Sequence, residues 1–170
     1  MKEFEPEITA RIAGIVDESV SDGPGVRIVV FFQGCRHHCP GCHNPHTWDF
    51  DHGSIYRIPE LLTRFEISPL IQGVTLSGGD PFYQPQAAAR IAEEFHKLNK
   101  DVWIYTGFTW EALMNAEDRA VSALLSWCDV LVDGPFLQEQ RSPELPFRGS
   151  RNQRLIDVRQ SLRNHALTEW

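Results

Sequence analysis

Short apolar runs alternate along this chain with segments whose apolar residues recur at helical spacing. Runs rich in β-branched and aromatic residues predict strands, and the four clearest are Ile28–Phe32, Gly73–Ser77, Val102–Tyr105 and Val130–Val132. An earlier run, Ile12–Val16, is expected to pair at the edge of the sheet. Because the strands alternate with helical patterns, the sequence predicts βαβ units and an α/β fold with a mainly parallel sheet.

Proline residues mark the starts of two predicted helices, since proline fits the first turn of a helix. Pro59 is predicted to open a short helix, whose apolar face consists of Leu61, Leu62 and Phe65. Pro85 is predicted to open a longer one, whose apolar face consists of Ala88, Ile91, Ala92, Phe95 and Leu98. Further helix is expected at Trp110–Met114 and Val121–Leu125.

A polar motif follows each of the four clearest strands. In chain order these motifs are Cys35–Cys42, Ser77–Pro81, Thr106–Gly107 and Asp133–Pro135. The carboxyl ends of parallel strands meet at one edge of a sheet, and α/β folds bind their ligands there. Each glycine pair taken singly is compatible with an ordinary tight turn. The four motifs taken together predict a single binding site at that edge.

Three cysteines form a C-x3-C-x2-C loop after the first of these strands: Cys35, Cys39 and Cys42. Thiolates are the usual ligands of iron–sulfur clusters, and a cubane cluster takes four of them. Three ligands therefore leave one iron open to a small molecule, which makes the loop a catalytic candidate. A Cys3His zinc site and a disulfide are the alternatives. Cys128 stands alone in an apolar context and is interpreted as structural.

The turn Gly78-Gly79-Asp80 has the composition of a site for an amine. Two glycines let the backbone approach a ligand closely, and the aspartate supplies a carboxylate. It does not resemble a phosphate loop, because no lysine follows it and an acidic residue repels phosphate. The expected ligand therefore carries an amino group.

Composition narrows the class of protein. A chain of 170 residues with 42% hydrophobic residues predicts one domain over residues 1–170, with loose ends at residues 1–8 and from about 159 to 170. The net charge of −7 argues against a nucleic-acid partner. No apolar stretch reaches the length of a membrane span, and the polar, acidic start is unlike a signal peptide. We therefore expect a protein of a reducing cytoplasm with no membrane partner.

Taken in order, the motifs resemble those of radical S-adenosylmethionine enzymes, and within that superfamily the chain is similar to the activating proteins of anaerobic ribonucleoside-triphosphate reductase. The cysteine spacing specifies only the superfamily. The Asp-Gly-Pro-Gly start points to activases of glycyl-radical enzymes, and the Arg-Gly-Ser-x-Asn-Gln segment favours the reductase activases. The stretches that carry the resemblance are Asp22–Arg27, Gly34–Asn44 with Thr47–Trp48, Leu76–Pro81, Tyr105–Gly107, Val130–Phe136 and Arg148–Gln153.

The resemblance implies a partial, open (β/α) barrel and a set of site residues. Cys35, Cys39 and Cys42 would bind three irons of a [4Fe–4S] cluster, and S-adenosylmethionine would chelate the fourth. The resemblance also implies contacts to other groups of S-adenosylmethionine. Asp80 and the backbone of Gly78 and Gly79 would hold its amino group, and Thr106 would lie near its carboxylate or ribose. The Gly41–Cys42 backbone or His43 would contact its adenine. No catalytic residue beyond these ligands is implied.

The activity implied by the resemblance begins with one electron passing from the cluster to S-adenosylmethionine. The 5′-deoxyadenosyl radical released would then take a hydrogen atom from a glycine of the partner reductase. Reduced flavodoxin is the electron donor that the resemblance implies. The alternatives are a small radical enzyme acting on a free metabolite, such as 7-carboxy-7-deazaguanine synthase, and a zinc-bound interaction module without catalysis.

Several remaining polar and aromatic residues have plain structural interpretations. The histidines expected to be partly exposed on loops are His37, His46 and His52. The tryptophans expected to serve in packing are Trp48, Trp103, Trp110 and Trp127. The segment Arg148–Gln153 is expected either to receive a loop of the partner or to form a surface turn.

Overall fold

The fold is a single open sheet with helices between its strands, and a computed structural model describes residues 7–170. The strands are β1 (Thr9–Ser19), β2 (Val26–Phe32), β3 (Ser54–Arg57), β4 (Ile71–Gly78), β5 (Asp101–Tyr105), β6 (Val130–Asp133) and β7 (Arg154–Asp157). The helices are α1 (Ile58–Leu62), α2 (Pro85–Lys97), α3 (Trp110–Met114), α4 (Arg119–Ser126) and α5 (Val158–Asn164). None of these helices has the length and apolar character needed to cross a membrane.

The described residues form a seven-stranded sheet in the order β3-β1-β2-β4-β5-β6-β7. The four central strands, β2, β4, β5 and β6, run parallel to one another. The outer strands β1, β3 and β7 are antiparallel to the strands they pair with. The predicted open α/β fold is confirmed, with the parallel pairing confined to the centre of the sheet.

The two faces of the sheet have different roles, because successive side chains of a strand point to opposite faces. On β5, Val102 and Ile104 belong to the larger core, to which all five helices contribute buried residues. Trp103 and Tyr105 point the other way, into a smaller cluster with Val132. The helices thus cover one face, which leaves the opposite face free to border a cavity.

The sheet is wider than the sequence predicted. The run Ile12–Val16 lies inside β1, which pairs with both β2 and β3, so its predicted position at the edge is wrong. The edge strands β3 and β7 have four residues each and mix polar with apolar positions. Such strands exist because a neighbouring strand pairs with them, and a sequence pattern carries little signal of that pairing.

The helices follow their predictions closely. Helix α1 begins at Ile58, one residue before Pro59, and ends at Leu62, so Phe65 lies beyond the helix that was predicted to carry it, although its side chain is buried. Helix α2 begins at Pro85, but Leu98 lies just past its end and is half exposed instead of packing on the apolar face.

The end of the chain is ordered, which differs from the prediction of a loose segment after Val158. Helix α5 is capped by the Asp157 side chain, which accepts a hydrogen bond from the Gln160 N–H at 2.8 Å. Beyond the helix, the Trp170 N–H donates to the Leu155 carbonyl at 2.9 Å. The indole of Trp170 packs edge-on against Trp103, with ring centroids 4.8 Å apart. At the other end, residues 1–6 of the predicted loose segment lie outside the described residues.

Candidate functional site

A cavity of about 360 Å³ lies at the carboxyl ends of the parallel strands. Its wall includes one or more residues from each of the four motifs, among them Cys35, Gly78, Thr106 and Gly134. The strand side chains Phe31, Ser77 and Tyr105, from the face without helices, also line it. The predicted convergence of the four motifs on one site is therefore confirmed.

The cysteine loop is anchored at both ends before it reaches the cavity. The Gly34 N–H donates to the Thr47 carbonyl at 2.7 Å, and the Cys35 N–H donates to the Trp48 carbonyl at 3.0 Å. Within the loop, the Cys42 N–H donates to the Cys39 carbonyl at 3.0 Å, which closes a turn. These backbone bonds hold the thiols of all three cysteines, which are free, along the cavity wall.

Burial and peptide N–H groups act in opposite directions on the thiols. Burial raises the pKa of Cys35 to about 11, while peptide N–H groups of the same loop, those of His37 and His38, act in the opposite direction. Burial also raises the pKa of Cys39, and the Phe136 N–H opposes it. Since burial outweighs these donors, a metal has to displace a proton from each of the two thiols to bind them. The Asn44 N–H donates to the Cys42 sulfur at 3.4 Å.

The three thiols line one cavity. In residues 7–170 no group of three or more His, Cys, Asp or Glu side chains converges closely enough to hold one metal ion. Thiolates are the usual ligands of a cubane of iron and sulfide, so the donor set at this cavity fits such a cluster.

Asp80 is fully buried and does not belong to the cavity wall. Its carboxylate accepts hydrogen bonds from the Thr106 hydroxyl at 2.8 Å, the Gly107 N–H at 2.9 Å and the Phe82 N–H at 3.0 Å. The His37 ring Nε2 lies 2.9 Å from the same carboxylate. These partners occupy both carboxylate oxygens, so the expected direct contact between Asp80 and a ligand amine is not what this geometry favours. Asp80 instead joins the loops that follow β2, β4 and β5.

The glycine pair before Asp80 does line the cavity, as the sequence predicted. Gly78 has φ +97°, a left-handed conformation that other residues rarely adopt. A Cβ on Gly79 would overlap the Gly34 carbonyl oxygen. The Gly34 carbonyl accepts a hydrogen bond from the Asp80 N–H at 3.1 Å. The pair therefore lets two loops approach closely and leaves its own backbone facing the cavity.

His37 lies on its loop and also borders the cavity. Its ring packs edge-on against Phe108 at 4.6 Å and lies 5.8 Å from Tyr83. The side chain is 18% exposed, so its interpretation as a partly exposed loop histidine is confirmed. His46 and His52 are exposed on their loops, as expected.

The remaining predicted contacts divide between the cavity wall and the surface. Cys42, His43 and Thr106 line the cavity, and the His43 ring lies 5.2 Å from that of Phe136. Gly41 is exposed, has φ +75° and lies against the Gln138 side chain, away from the wall.

The predicted packing and structural residues have a similar mixed outcome. Trp103 and Trp110 are buried and Trp127 packs against the larger core, as expected. Trp48, which was assigned to packing, stacks on His38 at 4.7 Å and also borders the cavity. Cys128 is fully buried, which agrees with a structural role.

Asp22 lines the cavity, although in the sequence it stands out only as the first residue of the Asp-Gly-Pro-Gly motif. Its carbonyl accepts a hydrogen bond from the Thr75 hydroxyl at 2.7 Å. The fully buried Arg27 donates to the same hydroxyl at 2.9 Å and pairs with Asp101. An arginine inside an apolar strand was the available signal, because a buried charge needs such partners.

The Arg148–Gln153 segment is part of the cavity wall, so the alternative of a simple surface turn is wrong. Arg148, Gly149 and Gln153 line the cavity, and Ser150 is fully buried. The sequence pattern showed the segment as polar, but the polar side chains point inward and bond to the loop after β6.

Comparison with known proteins defines the class first. Residues 21–156 match the family model described as "4Fe-4S single cluster domain". The chain therefore belongs to this 4Fe–4S single cluster family, which favours an iron–sulfur cluster over the zinc alternative. Among solved structures, QueE from Escherichia coli superposes with a TM-score of 0.48 at 18% identity, covering 59% of this chain and 54% of QueE.

Curated relatives then define the family. The chain is 40% identical over 146 residues to the anaerobic ribonucleoside-triphosphate reductase-activating protein of Vibrio cholerae, covering 79% of this chain and 89% of that protein. The namesakes in Escherichia coli strain K12 and Enterobacteria phage T4 are 36% and 37% identical, with 90% and 85% of their lengths covered and 79% of this chain in each case. The chain belongs to the family of anaerobic ribonucleoside-triphosphate reductase-activating proteins.

Proposed function

We propose that this protein is a radical S-adenosylmethionine enzyme that installs a glycyl radical on an anaerobic ribonucleoside-triphosphate reductase. The observation that carries the proposal is one cavity that joins three free thiols to the Gly78-Gly79 backbone, in a chain of the activating-protein family. Neither the thiols nor the glycine pair alone would distinguish an activase from another cluster protein.

Different residues of the cavity wall would have different roles in this function. Cys35, Cys39 and Cys42 would ligate three irons of a [4Fe–4S] cluster, with peptide N–H donors already near their sulfurs. The backbone of Gly78 and Gly79 would hold the amino end of S-adenosylmethionine. Asp80 would act indirectly, by fixing the loops that carry those groups.

The opposite end of the ligand would meet other residues of the wall. The Thr106 hydroxyl already donates to Asp80, so it would accept a hydrogen bond from a ribose hydroxyl and would not bind the carboxylate of the ligand. His43 and the Cys42 backbone would border the adenine, and Gly41 would act only through the turn it permits. A reduced cluster held by Cys35, Cys39 and Cys42 would supply the electron that cleaves S-adenosylmethionine into methionine and a 5′-deoxyadenosyl radical, and this radical would take a hydrogen atom from a glycine α-carbon of the reductase.

The chain's own contribution is to orient these groups and keep water from the reacting atoms. Phe31, Tyr105 and Phe147 give the cavity apolar walls, and Asp22 lies in the wall with them. We assign the donation of the electron to a small reduced carrier such as flavodoxin, in a reducing cytoplasm.

The test is an anaerobic reaction that contains the reconstituted protein, reduced flavodoxin, S-adenosylmethionine and an anaerobic ribonucleoside-triphosphate reductase. We expect a glycine-centred doublet in the electron paramagnetic resonance spectrum of the reductase, together with 5′-deoxyadenosine. The matched controls are the Cys39→Ala variant, expected to give neither product, and the Cys128→Ala variant, expected to give both. Formation of 5′-deoxyadenosine without a radical on the reductase would contradict the proposed substrate.

A further inference from the structure

Arg148 brings a positive charge to the cavity, and the roles proposed above do not use it. Among the described residues that line the cavity, Arg148 is the one arginine, and none is a lysine. Its half-buried side chain forms no ion pair with a carboxylate of residues 7–170, whereas the buried Arg27 is paired with Asp101. Burying a charge is costly unless a group of opposite charge compensates it. The cavity wall therefore holds a cation that an anionic group of a ligand would neutralise.

The hydrogen bonds of Arg148 leave one edge of its guanidinium open. Nη1 donates to the backbone carbonyl of Gln153 at 3.0 Å. Nε is buried and has no hydrogen-bond partner in the described part of the chain, where Nη2 has no acceptor either. The Nε–H and one N–H of Nη2 are parallel, and this fork matches the two oxygens of a carboxylate. An unsatisfied buried donor is costly, so an acceptor supplied by a ligand would stabilise this edge.

Backbone contacts on both sides of Arg148 fix the point from which its side chain extends. The Phe147 carbonyl accepts a hydrogen bond from the Tyr105 hydroxyl at 2.6 Å. The Gly149 N–H donates to the Gln153 side chain at 2.8 Å. Phe147 has φ +57°, a left-handed conformation that bulky residues rarely adopt and that persists only where neighbouring contacts enforce it. Such anchoring prepares the guanidinium for a ligand, because less side-chain freedom is lost on binding.

The anion that fits this edge follows from the proposed ligand. S-adenosylmethionine carries one carboxylate and no phosphate. The Thr106 hydroxyl donates to Asp80 and offers only lone pairs, so it cannot bind that carboxylate. Asp22, which also lines the cavity, would repel it. Arg148 supplies both the opposite charge and two parallel donors.

We propose that Arg148 is a specificity residue that binds the methionine carboxylate of S-adenosylmethionine and makes the cavity reject the decarboxylated form of this ligand. The inference rests on the proposed function, because it takes S-adenosylmethionine to occupy the cavity. A ligand without the carboxylate leaves the open edge of the guanidinium without an acceptor. Sites built to hydrogen-bond a ligand group discriminate strongly against ligands that lack it, because the polar groups of the site are then left unpaired.

The test measures two affinities of the anaerobically reconstituted protein by isothermal titration calorimetry, one for S-adenosylmethionine and one for decarboxylated S-adenosylmethionine. In Arg148→Gln we expect the affinity for the complete ligand to fall about tenfold to hundredfold, as for the loss of charge-assisted hydrogen bonds. The affinity for the decarboxylated ligand should change little. Arg148→Lys keeps the charge without the fork and should show a smaller loss for the complete ligand alone. Arg151→Gln, at an exposed position of the same segment, is the matched control and should bind both ligands normally.

The outcomes separate this inference from the function on which it rests. Iron and sulfide counted per chain show which variants keep the cluster, and Arg148→Lys keeps the test valid if Arg148→Gln does not fold. A wild-type protein that binds neither ligand would overturn the proposed function. Wild-type affinities in the variants, or equal losses for the two ligands, would overturn the role of Arg148 alone. An unchanged affinity for S-adenosylmethionine with loss of the glycyl radical would also overturn it, since Arg148 would then bind a carboxylate of the reductase.

Discussion

Asp80 shows how the role of a single residue depends on what surrounds it. A carboxylate after two glycines has the composition of a site for an amine. This carboxylate instead accepts hydrogen bonds from Thr106, Gly107 and Phe82. Leaving such donors unsatisfied in a buried position is costly, because water cannot replace the lost acceptor. Asp80 therefore acts on the cavity by ordering the loops around it.

Replacing Asp80 with alanine is expected to weaken the binding of S-adenosylmethionine while the cluster stays in place. Each charge-assisted hydrogen bond that Asp80 makes to the loops contributes about 1.5–3 kcal/mol, and ordering the loosened loops on binding would cost up to that amount, which corresponds to about a tenfold to hundredfold loss of affinity. Isothermal titration calorimetry on the reconstituted variant measures this loss. Asp17→Ala, at an exposed position of β1, is the matched control and should bind normally. Unchanged affinity in Asp80→Ala would mean that the loops hold their positions without this carboxylate.

The cysteines give a second prediction at the residue scale. Alanine at Cys35, Cys39 or Cys42 is expected to prevent assembly of the cluster, because each would remove one of three ligands. Alanine at the fully buried Cys128 should leave the iron and sulfide content unchanged. Iron and sulfide analysis after anaerobic reconstitution checks all four variants. A Cys39→Ala protein with a full cluster would contradict the assignment of the ligands.

Strands and loops meet in this fold through backbone contacts that only glycine permits. The loop after β4 packs on the start of the cysteine loop, where the Asp80 N–H donates to the Gly34 carbonyl at 3.1 Å. The Gly79 N–H donates to the Phe32 carbonyl at 2.7 Å, so the same turn also continues the pairing of β4 with β2. The position of the cysteines therefore depends on the neighbouring element.

Gly79→Ala is expected to displace the cysteine loop, because its Cβ would overlap the Gly34 carbonyl oxygen. Overpacking of this kind costs about 1–3 kcal/mol in the free energy of unfolding. Urea denaturation measures that cost, and iron analysis measures the accompanying loss of cluster. Gly14→Ala is the matched control, since no atom lies within 4 Å of the Cβ it would add. Equal behaviour of the two variants would show that the contact between the loops does not matter.

On the scale of the whole molecule, the two faces of the sheet divide stability from function. The five helices pack on one face and form the larger core. The other face carries the smaller hydrophobic cluster around Trp103. Phe147 packs against this hydrophobic cluster and also lines the cavity. The Tyr105 hydroxyl donates to the Phe147 carbonyl at 2.6 Å, so the strand and the loop above it form one wall. The last residues of the chain pack on this face through Trp170.

Trp170→Ala is expected to lower the stability of the whole protein by about 1 kcal/mol, because aromatic pairs contribute about 0.5–1.5 kcal/mol beyond their buried area. Thermal unfolding followed by circular dichroism measures the change. Leu70→Ala removes a side chain that is 75% exposed and should leave the unfolding temperature unchanged. The Trp170 variant should still assemble its cluster, since the ring contacts Trp103 and Phe147 and none of the cysteines.

Local patterns in the sequence were sufficient to predict the central strands, the helices and the convergence of the four motifs. Alternation of side chains and helical spacing are properties of a few consecutive residues, so Val102–Tyr105 and the helix from Pro85 could be predicted without tertiary information. Parallel pairing then brings the carboxyl ends of the strands together, and this placed the cysteine loop beside Gly78 and Gly79. The sequence by itself thus determined which chemical groups share the site.

Only the tertiary structure decided how those groups face one another. Asp80 forms hydrogen bonds with Thr106, 26 positions away in the sequence, and with His37, 43 positions away. The hydrogen bond between Gln153 and Gly134 joins residues 19 positions apart. The strands β3 and β7 likewise exist through pairing with distant partners. A polar residue has the same local signature whether it points to water, to a ligand or to another loop. The direction of its side chain depends on which distant donors and acceptors are buried away from water and need a hydrogen-bond partner. That is a property of the assembled fold.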